Sequence, residues 1–186
     1  TPAHLSWMRI PDRFWMARSS AIGDGFRDLI FEYLRSIDKK LDDGTGLILW
    51  GANGTGKTAA SVVIAKVARS TGASVLFITA ESFRQATLDN EKFDDGLLVK
   101  DRALEVDVLV LDDLGKEHSG DSTWAERTIE NLVRVRSSKK RTTIVTTNLN
   151  PDQMLERYKL SLMEVLLESC IRIQTEGKSV RKAPSL

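Results

Sequence analysis

The octapeptide Gly51-Ala52-Asn53-Gly54-Thr55-Gly56-Lys57-Thr58 constrains this chain more than any other stretch. It is a complete GxxxxGKT lying between a short apolar run, Leu47 to Trp50, and a helix-like segment, Thr58 to Arg69. Glycines at 51, 54 and 56 let the backbone turn successive N–H groups inward, which makes a nest for phosphate oxygens at a helix N-terminus. Lys57 is spaced to reach β- and γ-phosphates, and the Thr58 hydroxyl to hold Mg²⁺. A turn that only joins a strand to a helix has no need of Lys and Thr at these positions.

The rest of the chain repeats the same alternation. Val75 to Thr79, Val106 to Leu111 (broken only by Asp107), Thr143 to Thr147 and the short Ile171 to Ile173 (around Arg172) read as strands. Between them lie stretches of helical period: Glu81 to Leu88, a segment opened by a capping-box spacing at Thr123 and Glu126, one opened by Asn150-Pro151, and a further one over Ser161 to Ser169. Asp24 reads as the N-cap of an amphipathic helix that runs to Leu41. Strands alternating with helices predict an α/β fold of the P-loop NTPase kind, a five-stranded parallel sheet between helices. Residues 1–23, with Pro2, Pro11, Trp7 and Trp15 and no period, read as an extended arm packed on a domain spanning 24–186.

Two carboxylates, Asp112 and Asp113, end the third strand in Val108-Leu109-Val110-Leu111-Asp112-Asp113, at the edge where open α/β sheets place their chemistry. Asp112 is expected to support Mg²⁺ and Asp113 to polarise an attacking water, since only one of two adjacent acids can face the γ-phosphate. A simple strand-end turn is the rival account, which the upstream loop outweighs. Asn148, ending the fourth strand, is placed to orient water or touch the γ-phosphate.

Bulk properties bound the partners. A net charge of +1 over 186 residues excludes a protein that coats nucleic acid through overall charge. Without a run of 18 apolar residues no membrane span is expected, and without a charged start and apolar core no secretory signal. Cys170 is the single cysteine, so a reducing, cytoplasmic setting is expected. Because the chain opens at Thr1, a fragment of a longer protein is also expected.

Together the GANGTGKT loop, the LVLDDLG segment, the Thr146-Thr147-Asn148 strand end and Gly177-Lys178-Ser179-Val180-Arg181 resemble the DnaC/IstB-like branch of the AAA+ ATPases. The likeness covers most of the chain from Ile10-Pro11-Asp12-Arg13-Phe14 onward. The resemblance implies ATP and Mg²⁺ as cofactors, with little or no lid domain. It implies nucleotide contacts from Gly51 through Ala59, with Arg13 and Phe14 beside the adenine. Lys57, Asp113, Asn148 as the γ-phosphate sensor and Arg181 as a second sensor would be the catalytic set, and Thr58 and Asp112 the metal set. It also implies ATP-dependent homo-oligomers that bind single-stranded DNA and load a replicative ring helicase, or else assist a transposase, and a missing amino-terminal domain for the loader. The family's trans-acting arginine has no counterpart in Ser161 to Cys170, which leaves Arg157 or Arg172 as substitutes, or an ATP-gated module that turns over slowly alone. A small-molecule kinase is disfavoured by the absence of a dense basic lid.

Weaker signals remain. Arg134, Arg136, Lys139, Lys140 and Arg141 form a basic cluster read either as a solvated helix end or as a contact to DNA or a neighbouring subunit, with Arg136 the first to test. Phe83, Arg84 and Phe93 could stack on single-stranded bases or serve the core. His118 reads as a solvated loop residue and Cys170 as a small buried hydrophobe.

Overall fold

β-branched and leucine-rich runs with no charge in their first four positions have only one stable setting, between two layers that keep water off both faces. The computed structural model describes residues 2–93, 95–116 and 122–177. It places four such strands and a more polar edge strand in one all-parallel sheet: β1 (Gly46–Trp50), β2 (Val75–Thr79), β3 (Val108–Leu114), β4 (Thr142–Thr147) and, at the edge, β5 (Cys170–Gln174). Their spatial order is β2-β3-β4-β1-β5. Alternate side chains divide the core in two. Leu76, Ile78, Leu109, Leu111 and Val145 face α5 (Ala80–Leu88), α6 (Val99–Glu105), α7 (Ser122–Ser138) and α8 (Pro151–Ser169). Val75, Phe77, Val108, Val110 and Ile144 face the other layer, made by α2 (Asp24–Arg35), α3 (Ile37–Asp43) and α4 (Lys57–Ser70). This is the expected α/β architecture, and among the described residues no helical lid follows β5.

Several local expectations are corrected. The amino-terminal arm is not extended: it holds α1 (Pro2–Trp7) and two 3₁₀ turns, Asp12–Phe14 and Ser19–Ala21. It packs through buried Met8, Ile10 and Ile22. The helix expected to run from Asp24 to Leu41 breaks at Ser36, and its N-cap is Gly23 rather than Asp24, at a position where a Cβ would stand 2.6 Å from the Thr55 carbonyl oxygen. The two stretches after Asn150 are one helix, α8, opened by a full capping box between Asn150 and Gln153. Helix α7 starts at Ser122, ahead of the expected cap at Thr123, and α6 was not foreseen, seven residues being too few to show a period.

Lys66, on α4, ties the arm down by donating to the carbonyls of Phe14, Trp15 and Ala17 at 3.3, 2.6 and 3.0 Å. Burial, with Arg18 nearby, pulls its pKa below the ordinary lysine value. Methionine here keeps the stem and removes three charged hydrogen bonds. Lys66→Met is expected to cost about 1–2 kcal/mol, lowering the melting temperature by roughly 2–6 °C and exposing the arm to trypsin at Arg18. Unchanged melting and cleavage would show that the arm is held by its apolar contacts alone.

The basic cluster divides. Arg136 is fully buried and donates to the carbonyls of Ala103, Val106, Asp107 and Thr142 and to the Thr143 hydroxyl. It cannot reach DNA or another subunit, so the reading that ranked it first is overturned. Lys139 pairs with Glu105 at 2.6 Å, Arg141 with Asp107, and Arg134 with Glu130 at 3.0 Å. The stacking candidates fare likewise. Phe83 lies in the core, Arg84 pairs with Glu81 at 2.7 Å, and the Phe93 ring carries the guanidinium groups of Arg9 and Arg102 at 4.6 and 4.3 Å. Cys170 is buried as expected, its thiol pushed up to about 11 by burial. His118 lies outside the described residues.

Candidate active site

Three strands deliver their carboxyl ends to one rim. The phosphate loop follows β1, the acidic pair ends β3, and Asn148 follows β4, the strand between them. The loop backbone takes positive φ at Gly51, Gly54 and Gly56 (142°, 84° and 96°), the conformations the glycine pattern anticipates. Gly51 is further constrained because a Cβ would stand 2.5 Å from the carbonyl oxygen of Thr175. Lys57 is buried, and its Nζ donates to the carbonyls of Gly51 and Ala52 at 2.8 and 2.7 Å, spanning the loop it serves. Ala59 and Ala60, buried behind the loop, let α4 pack closely on the sheet.

Asp112 is 3% exposed and faces the loop. Its Oδ1 accepts from the Thr58 hydroxyl at 3.0 Å and from the Thr146 hydroxyl at 2.6 Å. Burial raises its pKa above the usual carboxylate value, the neighbouring Asp113 adds to the rise, and the bonds from Thr146 and Thr58 oppose it. Asp113 has φ +57°, rare outside glycine though tolerated by Asp. The cause lies in the register: Leu111 pairs with Val145 but Leu114 with Thr147, so β3 carries one extra residue across the acidic pair. Such a bulge re-aims side chains at a strand end. Asp113 remains partly solvent-facing, its Oδ1 2.9 Å from Lys116 Nζ.

The sequence reading missed the threonines that brace this rim. Thr146 bonds Asp112 and also accepts the Asp113 N–H at 3.0 Å. Thr147 donates to the Leu114 carbonyl at 2.6 Å. Thr55 and Thr175 share a buried hydroxyl–hydroxyl bond of 2.8 Å that pins the loop to the end of β5. A signal existed: the central strand reads Thr142-Thr143-Ile144-Val145-Thr146-Thr147, and hydroxyls buried in a central strand need partners.

Asn148 is half-buried on the rim. Arg13 and Phe14 lie farther off: Phe14 is tied to Lys66, nine residues along α4 from Lys57, about 13 Å of helix axis. Gly23, not Phe14, abuts the loop at Thr55. Arg157 is half-buried on α8, its guanidinium 5.6 Å from the Tyr158 ring, and Arg172 is exposed on β5. Arg181 lies outside the described residues.

The Thr58 hydroxyl and the Asp112 carboxylate form an all-oxygen pair, and among the described residues no group of three His, Cys, Asp or Glu gathers to hold a metal by itself. This set suits Mg²⁺, which is typically held by one or two protein oxygens together with phosphates and waters. An open cavity of about 830 Å³ lies at the opposite, amino ends of the strands, between α3 and Lys139 to Arg141, away from this rim.

The family profile described as IstB-like ATP binding protein matches residues 26–186. The chain belongs to this family. No curated protein sequence matches it. Among solved structures, this IstB-like chain is similar to the DnaC helicase loader, with a TM-score of 0.74 at 23% identity, covering 89% of this chain and 100% of that one. It is similar to DnaI with a TM-score of 0.77 at 21% identity over 92% and 94%. AMPPCP-bound DnaA from Aquifex aeolicus matches with a TM-score of 0.60 at 21% identity over 83% of this chain and 48% of that one. At these identities the structures establish the shared AAA+ P-loop fold. Among the described residues no helix is long and apolar enough to cross a membrane.

Proposed function

We propose that this chain is the Mg²⁺-dependent ATPase domain of a cytoplasmic DNA replication helicase loader, with residues 1–23 as an arm packed on an AAA+ domain of residues 24–186. The observation that carries the ATPase reading is the convergence of Lys57, Thr58, Asp112 and Asp113 from two strand ends onto one rim, bridged by the 3.0 Å Thr58–Asp112 bond. Loop amides from Gly51 to Ala59 and the Lys57 ammonium hold the triphosphate. Thr58 and Asp112 hold Mg²⁺, which offsets the charge on the phosphates. Asp113, released from Lys116, takes a proton from the attacking water, while Asn148 meets the γ-phosphate and Arg181 approaches from the carboxyl-terminal segment. Arg13 and Phe14, farther along the arm, take the adenine side, away from the phosphates.

The loader reading is supported by the fold shared with DnaC and DnaI over nearly their whole lengths. The partners are a ring helicase, single-stranded DNA and further copies of the chain. Self-assembly is supported by β5, an edge strand, which with α8 exposes Ile171, Leu160 and Leu167. Arg172 on that strand is the trans-acting candidate, with Arg157 second. A transposition helper is the second reading, favoured by the family match. An ATP-gated module with slow hydrolysis is the third.

Phosphate release with and without single-stranded DNA, with capture of ring helicases in ATP, tests these readings. Lys57→Ala is expected to weaken ATP binding at least about 100-fold by removing a charge that reaches two phosphates. Binding that survives in this variant would sink the nucleotide site. Failure to capture any helicase would move the assignment to the transposition helper.

A further inference from the structure

Asp112 and Asp113 can serve ATP hydrolysis only when both are held in a fixed direction. Thr146 stands two residues before Asn148 on β4, fully buried, and reaches both acidic residues with one oxygen. Its hydroxyl donates to Asp112 Oδ1 at 2.6 Å and accepts the Asp113 N–H at 3.0 Å. A hydroxyl has one proton. With a lone pair turned to the Asp113 N–H, that proton goes to Asp112, so the direction of the pair of bonds is fixed.

The second bond explains the backbone. At the bulge the extra residue leaves the ladder, and the Asp113 N–H would be an unmatched donor in the sheet. The Thr146 side chain supplies the acceptor that the β4 backbone does not. It thereby holds Asp113 at φ +57°, a conformation that persists only when its surroundings enforce it.

We infer that Thr146 is a positioning residue: one hydroxyl through which the strand carrying Asn148 sets the aim of both acids, so that a shift of that strand end against a γ-phosphate moves Asp112 and Asp113 with it. The inference rests on the ATPase reading, and Thr146 itself touches no reacting atom.

Three variants of the full chain grade the hydroxyl. Serine keeps it, cysteine offers a weak donor of similar size, and valine keeps the shape without it. Two readouts are needed: ATP turnover, and the Mg²⁺ concentration that half-saturates binding of a fluorescent non-hydrolysable ATP analogue. Thr146→Val is expected to lower kcat about 30- to 100-fold, the scale of misplacing a reacting group by about 1 Å. Its KM and Mg²⁺-free analogue affinity should stay within about twofold, while the Mg²⁺ requirement rises several-fold. Thr146→Ser should stay within about threefold of wild type in every readout, with Thr146→Cys between the two.

Wild-type kcat and Mg²⁺ requirement in Thr146→Val would overturn the inference. So would a loss in Thr146→Ser as large as in the valine variant, or a parallel loss of Mg²⁺-free binding. If the valine variant does not fold, the serine–cysteine pair decides, and equal values in those two overturn it. A wild-type chain that binds analogue without turning over ATP counts against the ATPase reading alone, and the Mg²⁺ titration still judges Thr146. A wild-type chain that binds no analogue sinks that reading and the inference with it.

Discussion

Arg136→Met is expected to lower the stability of the folded chain by about 3–5 kcal/mol, a large share of the roughly 5–15 kcal/mol that holds a domain folded. The side chain is fully buried, yet its donors meet the carbonyls of Ala103, Val106, Asp107 and Thr142 at 2.7–3.3 Å and the Thr143 hydroxyl at 3.0 Å. Those acceptors belong to the end of α6, the turn before β3, and β4, so one guanidinium ties three segments. Burial, with Arg141 beside it, pushes its pKa down to about 9, leaving it charged at neutral pH. Methionine fills much of the volume but orphans several carbonyls, each costing about 1–3 kcal/mol when buried without a donor. Lysine keeps the charge and loses the planar fork, so Arg136→Lys should recover only part of the loss. Urea denaturation midpoints check both variants. A midpoint unchanged in Arg136→Met would mean that water replaces the guanidinium.

Asp113→Asn is the matching experiment for chemistry. Asparagine has the same shape and also tolerates positive φ, so the backbone at +57° is undisturbed while the carboxylate charge, its proton-accepting oxygen and the ion pair to Lys116 are lost. Turnover is expected to fall about 10²- to 10⁴-fold, the contribution of a positioned general base, with ATP affinity within about twofold of wild type. Phosphate release under single-turnover conditions, alongside analogue binding, reads both. Equal losses in binding and turnover would assign Asp113 to holding nucleotide instead.

How far the sequence is legible depends on the range of the forces involved. The sheet and its two layers could be read because four of the five strands carry their own apolar run, and the phosphate loop because its glycines and Lys57-Thr58 act within eight residues. The Asp112-Asp113 pair was visible, but its bulge was not, since a register shift exists only between two strands. Thr146 was passed over for the same reason: its partners lie 33 and 34 residues away. Arg136 was misread because a cation among Arg134, Lys139 and Arg141 looks solvated, and nothing local announces the carbonyls that converge on it. The break at Ser36 escaped notice because the apolar period of α2 continues into α3.

The two borders of the sheet are finished differently. On the β2 side the chain's own Met8 carbonyl accepts the Phe77 N–H at 2.8 Å, whereas β5 on the far side has a neighbour, β1, on one flank only. Among the described residues, the edge without a further backbone neighbour is thus the β5 side. Strand addition by another copy therefore has its opening at β5, either edge to edge across a two-fold axis or head to tail against a different surface.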